Sequence, residues 1–159
     1  MTDNGDVWAW GYGGRSSPFG CSWLAVHNPL GTGPSGSSST PVKVDLKNVT
    51  QISAGHDFSV AVAGGRVFGW GQGLSNLNDD PSSLPVELGY VNQIIDTKKT
   101  SIKKIASTDD FAMFLYGNGR LYAVGKNVGG ATGTRHNAKV ITDNVLRQLT
   151  KINDHPFHG

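Results

Sequence analysis

The chain has 159 residues, one cysteine, a formal net charge of +2 and 16% charged residues. That length predicts about one ordinary domain, large enough to bury a core without staples, and lone Cys21 excludes an internal disulfide framework and fits a reducing compartment. The mild charge argues against nucleic acid, no apolar run approaches the ~18 residues of a membrane span, and the polar stretch after Met1 lacks the core of a secretory signal, so an intracellular chain, cytoplasmic or nuclear, is expected.

Glycine is frequent, with 22 residues, and is accompanied by four Trp, four Tyr and six Phe. That mixture predicts many short strands joined by tight turns, an all-β chain. Three copies of one phrase organise it: Gly5-Asp-Val-Trp-Ala-Trp-Gly11, Gly65-Arg-Val-Phe-Gly-Trp-Gly71 and Gly119-Arg-Leu-Tyr-Ala-Val-Gly125. Recurrence at such intervals is the signature of a stacked repeat. Repeat modules commonly serve as binding surfaces.

The first copy opens a half unit over residues 5–46, with strands expected at Asp6–Tyr12 and Thr40–Leu46 around a long loop, 13–40. Inside the loop, Gly31-Thr-Gly-Pro-Ser-Gly36 fits the letters of a dinucleotide fingerprint. Ser37-Ser-Ser-Thr-Pro41 follows where that fingerprint needs a helix, so a linker is the better account. The loop also carries an apolar patch, Pro18-Phe-Gly-Cys-Ser-Trp-Leu-Ala-Val26. Either the patch folds back over the half unit, or Phe19, Trp23 and Leu24 anchor a partner, since aromatics dominate interface hot spots.

A full unit is expected over 47–89, with strands at Val49–Ala54, Phe58–Ala63, Arg66–Gln72 and Leu84–Leu88. Gly64-Gly65 supplies the positive φ that its hairpin turn requires. Val91-Asn-Gln-Ile-Ile-Asp-Thr-Lys-Lys-Thr100 matches neither strand pattern and reads as an elongated connector. A second full unit over 101–142 places strands at Ile102–Ser107, Phe111–Tyr116, Arg120–Lys126 and Ala138–Thr142. Residues 146–153 read as the first strand of a further unit, because Leu149-Thr-Lys-Ile152 repeats Val49-Thr-Gln-Ile52. An amphipathic helical turn through Val145, Leu146, Leu149 and Ile152 is the alternative there.

Assembled, the segments Ile52-Ser-Ala-Gly55, Phe58-Ser-Val-Ala61 and Val67-Phe-Gly-Trp-Gly71 resemble the unit of the regulator of chromosome condensation repeat family. The likeness covers about residues 5–153; Thr108 in place of Gly55, Val124 in place of Trp70 and Ala138 in place of the strand-leading proline mark the third unit as degenerate. The resemblance implies a β-propeller of four-stranded antiparallel blades, commonly seven-bladed. With about two full blades plus an incomplete one, residues 1–159 form a single partial propeller domain, since closure takes about four to eight blades. A fragment, or a chain completed by another copy or subunit, is the expectation. The resemblance also implies structural roles for Trp8, Trp10, Gly55, Phe58, Gly65, Phe68, Trp70, Gly71, Phe111, Gly119, Tyr122 and Gly125.

Nothing catalytic stands out. Adjacent carboxylates such as Asp109-Asp110 point to opposite faces of an extended chain and form no acid/base couple. Asp154-His-Pro-Phe-His158 offers two imidazoles without a second cluster to complete a metal site. His56 beside Asp57 fits a structural hydrogen-bonding role, and Lys98, Lys99, Lys103 and Lys104 a solvated face. No catalytic, metal or cofactor residue is assigned. The expected function is a non-enzymatic protein-interaction module working through rim loops. A guanine-nucleotide exchange factor for a Ran-like small GTPase, which the resemblance implies, is the alternative.

Overall fold

A computed structural model describes residues 1–13, 28–34, 36–72 and 82–125. The sequence-expected strands at 138–142 and 146–153 lie outside them, as do Phe19, Trp23 and Leu24. Three antiparallel sheets follow one another along the chain. The first pairs β1 (Val7–Gly11) with β2 (Ser38–Val44); the second holds β3 (Val49–Ala54), β4 (Phe58–Ala63), β5 (Arg66–Gly71) and β6 (Ser82–Glu87) in sequential order. The third holds β7 (Ile102–Ser107), β8 (Phe111–Tyr116) and β9 (Leu121–Gly125). Strand existence and order thus follow the glycine-bounded alternation read from the residues.

The second sheet is buried on both faces, and its side-chain alternation decides which residue meets which neighbour. Phe58, Val60, Val62 and Val67 pack on Ile105, Ala112, Phe114 and Tyr116 of the third sheet. The opposite parity, Ala61, Ala63 and Trp70 with Phe68, packs on Val7 and Val44 of the first and on Leu46 just beyond it. Register matches bulk to space: Val60 lies across from Gly69, and Ala61 across from Phe68. Large-against-small pairing keeps both faces flat enough for a sheet to seat on each side.

Between the second and third sheets the chain forms α1 (Gly89–Lys98). This corrects the expected elongated connector. The signal was faint: ten residues with β-branched and polar members give little intrinsic helicity. Packing supplies what propensity lacks, for Val91, with Ile94 and Ile95, sits against the inter-sheet core. The decisive residue is Asn92, fully buried. Its Oδ1 accepts from the Val67 N–H at 2.8 Å and its Nδ2 donates to the Val67 carbonyl at 2.9 Å, so one amide side chain replaces a strand neighbour. Arg66 adds ion pairs to Asp96 at 2.7 Å and Glu87 at 3.3 Å. On the third-sheet side, the Tyr116 hydroxyl donates to the Val91 carbonyl at 3.0 Å, and burial holds that phenol well above its ordinary pKa.

A second amide joins the sheets directly. Gln51 on β3 accepts from the Ile105 N–H at 3.1 Å and donates to the Lys103 carbonyl at 3.2 Å on β7.

The last glycine of each repeated phrase has positive φ: 114° at Gly11, 95° at Gly71 and 130° at Gly125. A Cβ at Gly71 would also lie 2.3 Å from the Asp57 carbonyl oxygen. Gly65, at φ 79°, has open space instead. Gly65→Ala is therefore expected to destabilise by about 1–3 kcal/mol through backbone strain alone, and Gly71→Ala by more, read from urea midpoints at constant slope. Asn92→Leu should lose about 1–3 kcal/mol by stranding the Val67 N–H, the Val67 carbonyl keeping the Leu88 N–H at 2.9 Å, and Asn92→Asp, which sets a carboxylate oxygen against that carbonyl, should not restore the full stability.

Candidate functional site

One rim of the stacked sheets gathers the strand-joining turns 55–57 and 108–110, the ends of β1 and β5, and the starts of β2 and β6. The two turns are built alike: the Gly55 N–H donates to the Phe58 carbonyl at 2.8 Å, and the Thr108 N–H to that of Phe111 at 2.9 Å. They also touch. The His56 N–H reaches the Asp109 carbonyl at 3.4 Å, and a Cβ at Gly55 would stand 2.7 Å from the Thr108 carbonyl oxygen. Glycine at 55 is thus required by the close approach of the next blade's turn and the Phe58 ring.

This contact brings Asp57, Asp109 and Asp110 together at an exposed edge with His56. The His56 Nδ1 lies 3.1 Å from the Asp57 carboxylate. That hydrogen bond and the Asp57 charge, with smaller pulls from Asp109 and Asp110, raise the imidazole above its ordinary pKa.

Residues 28–34 dock beside these turns. Asn28, fully buried, accepts from the Leu30 N–H at 2.9 Å and donates to the Gly33 carbonyl at 2.8 Å, holding a tight turn. The Pro29 carbonyl accepts from Trp70 Nε1 at 2.9 Å and from Ser59 Oγ at 3.1 Å. Gly31 is needed because a Cβ there would stand 2.6 Å from the Trp70 indole nitrogen. The turn is followed by β2, not by the helix a dinucleotide site needs. Periodicity carries no sign of Asn28, Gln51 or Asn92, because each works through a polar side chain at an otherwise ordinary position.

Phe58 and Trp70 lie in the core; Phe68, Phe111 and Tyr122 are half-buried, and Tyr122 meets Tyr116 edge to face at 5.1 Å. Gly65 and Gly119 occupy hairpin turns with positive φ, while Gly71 and Gly125 abut the carbonyls of Asp57 and Asp110. Trp8 and Trp10 differ from their expected scaffold role, being 41% and 60% exposed. Their β5 counterparts, Phe68 and Trp70, pack on the first sheet, whereas no described sheet lies on the outer side of β1. Among the described residues, no group of three or more His, Cys, Asp or Glu is placed to hold a metal, and no helix is long and apolar enough to cross a membrane.

No family model and no curated protein matches this chain. Solved structures do. Human WBSCR16 is similar over 82% of this chain and 32% of its own, at 20% identity and TM-score 0.61. Prp20p from Saccharomyces cerevisiae, described with its binding to Gsp1p and histones, matches over 76% of this chain and 28% of its own at 20% identity and TM-score 0.58. A structure of Kap60 bound to yeast RCC1 (Prp20) matches over 77% of this chain and 26% of that one, at 24% identity and TM-score 0.50. The fold is that of RCC1-like β-propeller repeats, and the chain spans between about a quarter and a third of the length of these structures.

His56 is expected to titrate above an ordinary imidazole, with its midpoint falling back in Asp57→Asn, both followed by ring-proton NMR. Because the folded pKa is raised, this protonation favours the fold fully below the unfolded value, and the contribution fades as pH climbs through the folded one. Asp57→Asn should flatten that pH dependence.

Proposed function

We propose that residues 1–159 form one partial propeller domain acting as a non-enzymatic protein-interaction module, whose turn-bearing rim holds a basic protein surface. The observation that carries this reading is the convergence of Asp57, Asp109 and Asp110 on one exposed edge through the contact between adjacent blade turns. Complementary potentials across an interface steer association and fix register. Rigid repeats that place turns side by side suit that task better than chemistry on buried groups. The binding of Prp20p to histones, which are basic, supports the reading by fold likeness. Phe19, Trp23 and Leu24, in the sequence between β1 and β2, are proposed as apolar anchors. An intracellular setting, nuclear or cytoplasmic, goes with such partners.

A second reading, nucleotide exchange on a Ran-like small GTPase, is favoured by the same structure, which concerns Gsp1p as well. Fold likeness alone does not transfer that activity.

Histones and Gsp1p serve as probes. The chain should capture histones, with affinity falling about tenfold or more in Asp109→Lys/Asp110→Lys and with added salt. Failure to bind either probe would overturn the module reading. Gsp1p-dependent acceleration of labelled GDP release would replace it with exchange.

A further inference from the structure

β7 runs from Ile102 to Ser107, so the acidic turn 108–110 stands at one of its ends and the residues that follow α1 stand at the other. At that second end the chain leaves α1 through Lys98 and Lys99 and enters the strand through Thr100 and Ser101. This passage is fastened to the hairpin that joins β8 and β9. The Gly117 N–H donates to the Ser101 carbonyl at 2.8 Å, and the Asn118 N–H to Thr100 Oγ1 at 3.3 Å. The hairpin itself is closed by the Tyr116 N–H on the Arg120 carbonyl at 2.8 Å and by the Arg120 N–H on Asn118 Oδ1 at 3.1 Å. Lys103, early in β7, has its carbonyl held by Gln51 Nε2 at 3.2 Å. These bonds fix Lys98, Lys99, Lys103 and Arg120 at one corner, the lysines exposed and the arginine half-buried.

The acids nearest to this corner are engaged elsewhere. Asp96, also on α1, pairs with Arg66 at 2.7 Å, and Glu87 pairs with the same guanidinium at 3.3 Å. Among the described residues, no ion pair joins the four cations of the corner. Lys98 has an ordinary structural role, because a cation in the last turn complements the helix dipole. Lys99 does not. It caps the helix in a left-handed conformation, φ 45° and ψ 51°, and its N–H donates to the Ile95 carbonyl. That task belongs to the backbone, and glycine performs it with the least strain. A lysine there adds strain, and what it brings beyond glycine is a charged side chain at the corner.

We propose that Lys98, Lys99, Lys103 and Arg120 form a docking corner for an acidic segment of a protein partner. Compact ammoniums beside a guanidinium, which can hold a carboxylate through two parallel hydrogen bonds, match a short run of Asp or Glu. A nucleic-acid duplex fits less well. Backbone binding to a duplex commonly draws on about 6–10 phosphate contacts, and the cations of one helix end, one strand start and one hairpin fall short of that. The corner and the carboxylates of Asp57, Asp109 and Asp110 lie at opposite ends of the strands, so the two ends select partners of opposite charge. The inference does not rest on any partner held at the acidic rim.

The test is fluorescence anisotropy of a labelled oligo-glutamate peptide with the full 159-residue chain at low salt. Saturable capture that weakens with added salt is expected. Lys99→Gln and Lys103→Gln should each weaken capture about two- to fivefold, the scale of one exposed ion pair. Lys47→Gln, which removes the same charge from the turn between β2 and β3, should leave it unchanged. Lys99→Gly separates the corner from the cap: its urea midpoint should rise as strain is relieved, while capture falls as in Lys99→Gln. No capture at low salt, equal weakening in Lys47→Gln, unchanged capture in both Lys99 variants, or displacement of the peptide by duplex DNA more readily than by unlabelled peptide would each overturn the proposal. A chain that captures histones but not oligo-glutamate would sink this inference alone. Capture of oligo-glutamate without binding to histones or Gsp1p would sink the rim reading alone.

Discussion

A sheet that is apolar on both faces has no stable existence by itself, and the second sheet of this protein is such a sheet. Phe58, Val60 and Val62 turn one way from β4, and Ala61 and Ala63 turn the other; all five are buried. Every other feature follows from the need to cover both sides at once. The first sheet covers one, the third covers the other, and the glycines keep strand ends and turns close enough for the layers to meet. Lateral stacking of pleated layers is therefore the interaction on which the molecule depends, and hydrogen bonding within each sheet is secondary to it.

Stacking alone leaves the layers free to slide. Side-chain amides remove that freedom. Gln51 reaches from β3 to the backbone of β7 and reads it as a strand would, and Asn92 does the same from α1 to Val67. Each offers a donor and an acceptor in one plane, matched to a peptide's own pair. These contacts also pin the turns at 55–57 and 108–110 in mutual contact, so rim geometry is inherited from the inter-sheet core. Function at such a rim is a property of the stack rather than of any one loop.

Coverage of a hydrophobic face also differs between equivalent positions of the described sheets. Ile52 on β3 is 44% exposed, whereas Ile105, its counterpart on β7, is 6% exposed. The difference lies in what stands next door: the first sheet has two described strands, and the second has four. Exposed Trp8 and Trp10 carry the same message on the outer side of β1.

The positions of the described strands, to within a residue or two, were legible in the residues alone, because alternation and glycine punctuation are local consequences of backbone geometry. The RCC1-like fold was legible through a resemblance, carried by the repeated phrase together with its flanking segments. What only the tertiary structure decided was relational. The stretch after Leu88 becomes a helix because a greasy crevice between two sheets accepts Val91, Ile94 and Ile95, and because Val67 needed an amide partner. Asp57 and Asp109 belong to one site because two turns, distant along the chain, abut. Trp8 and Trp10 are exposed while Trp70 is buried, though all three sit in the same phrase. Local sequence sets the direction in which a side chain points; only the assembled stack determines whether anything stands there to receive it.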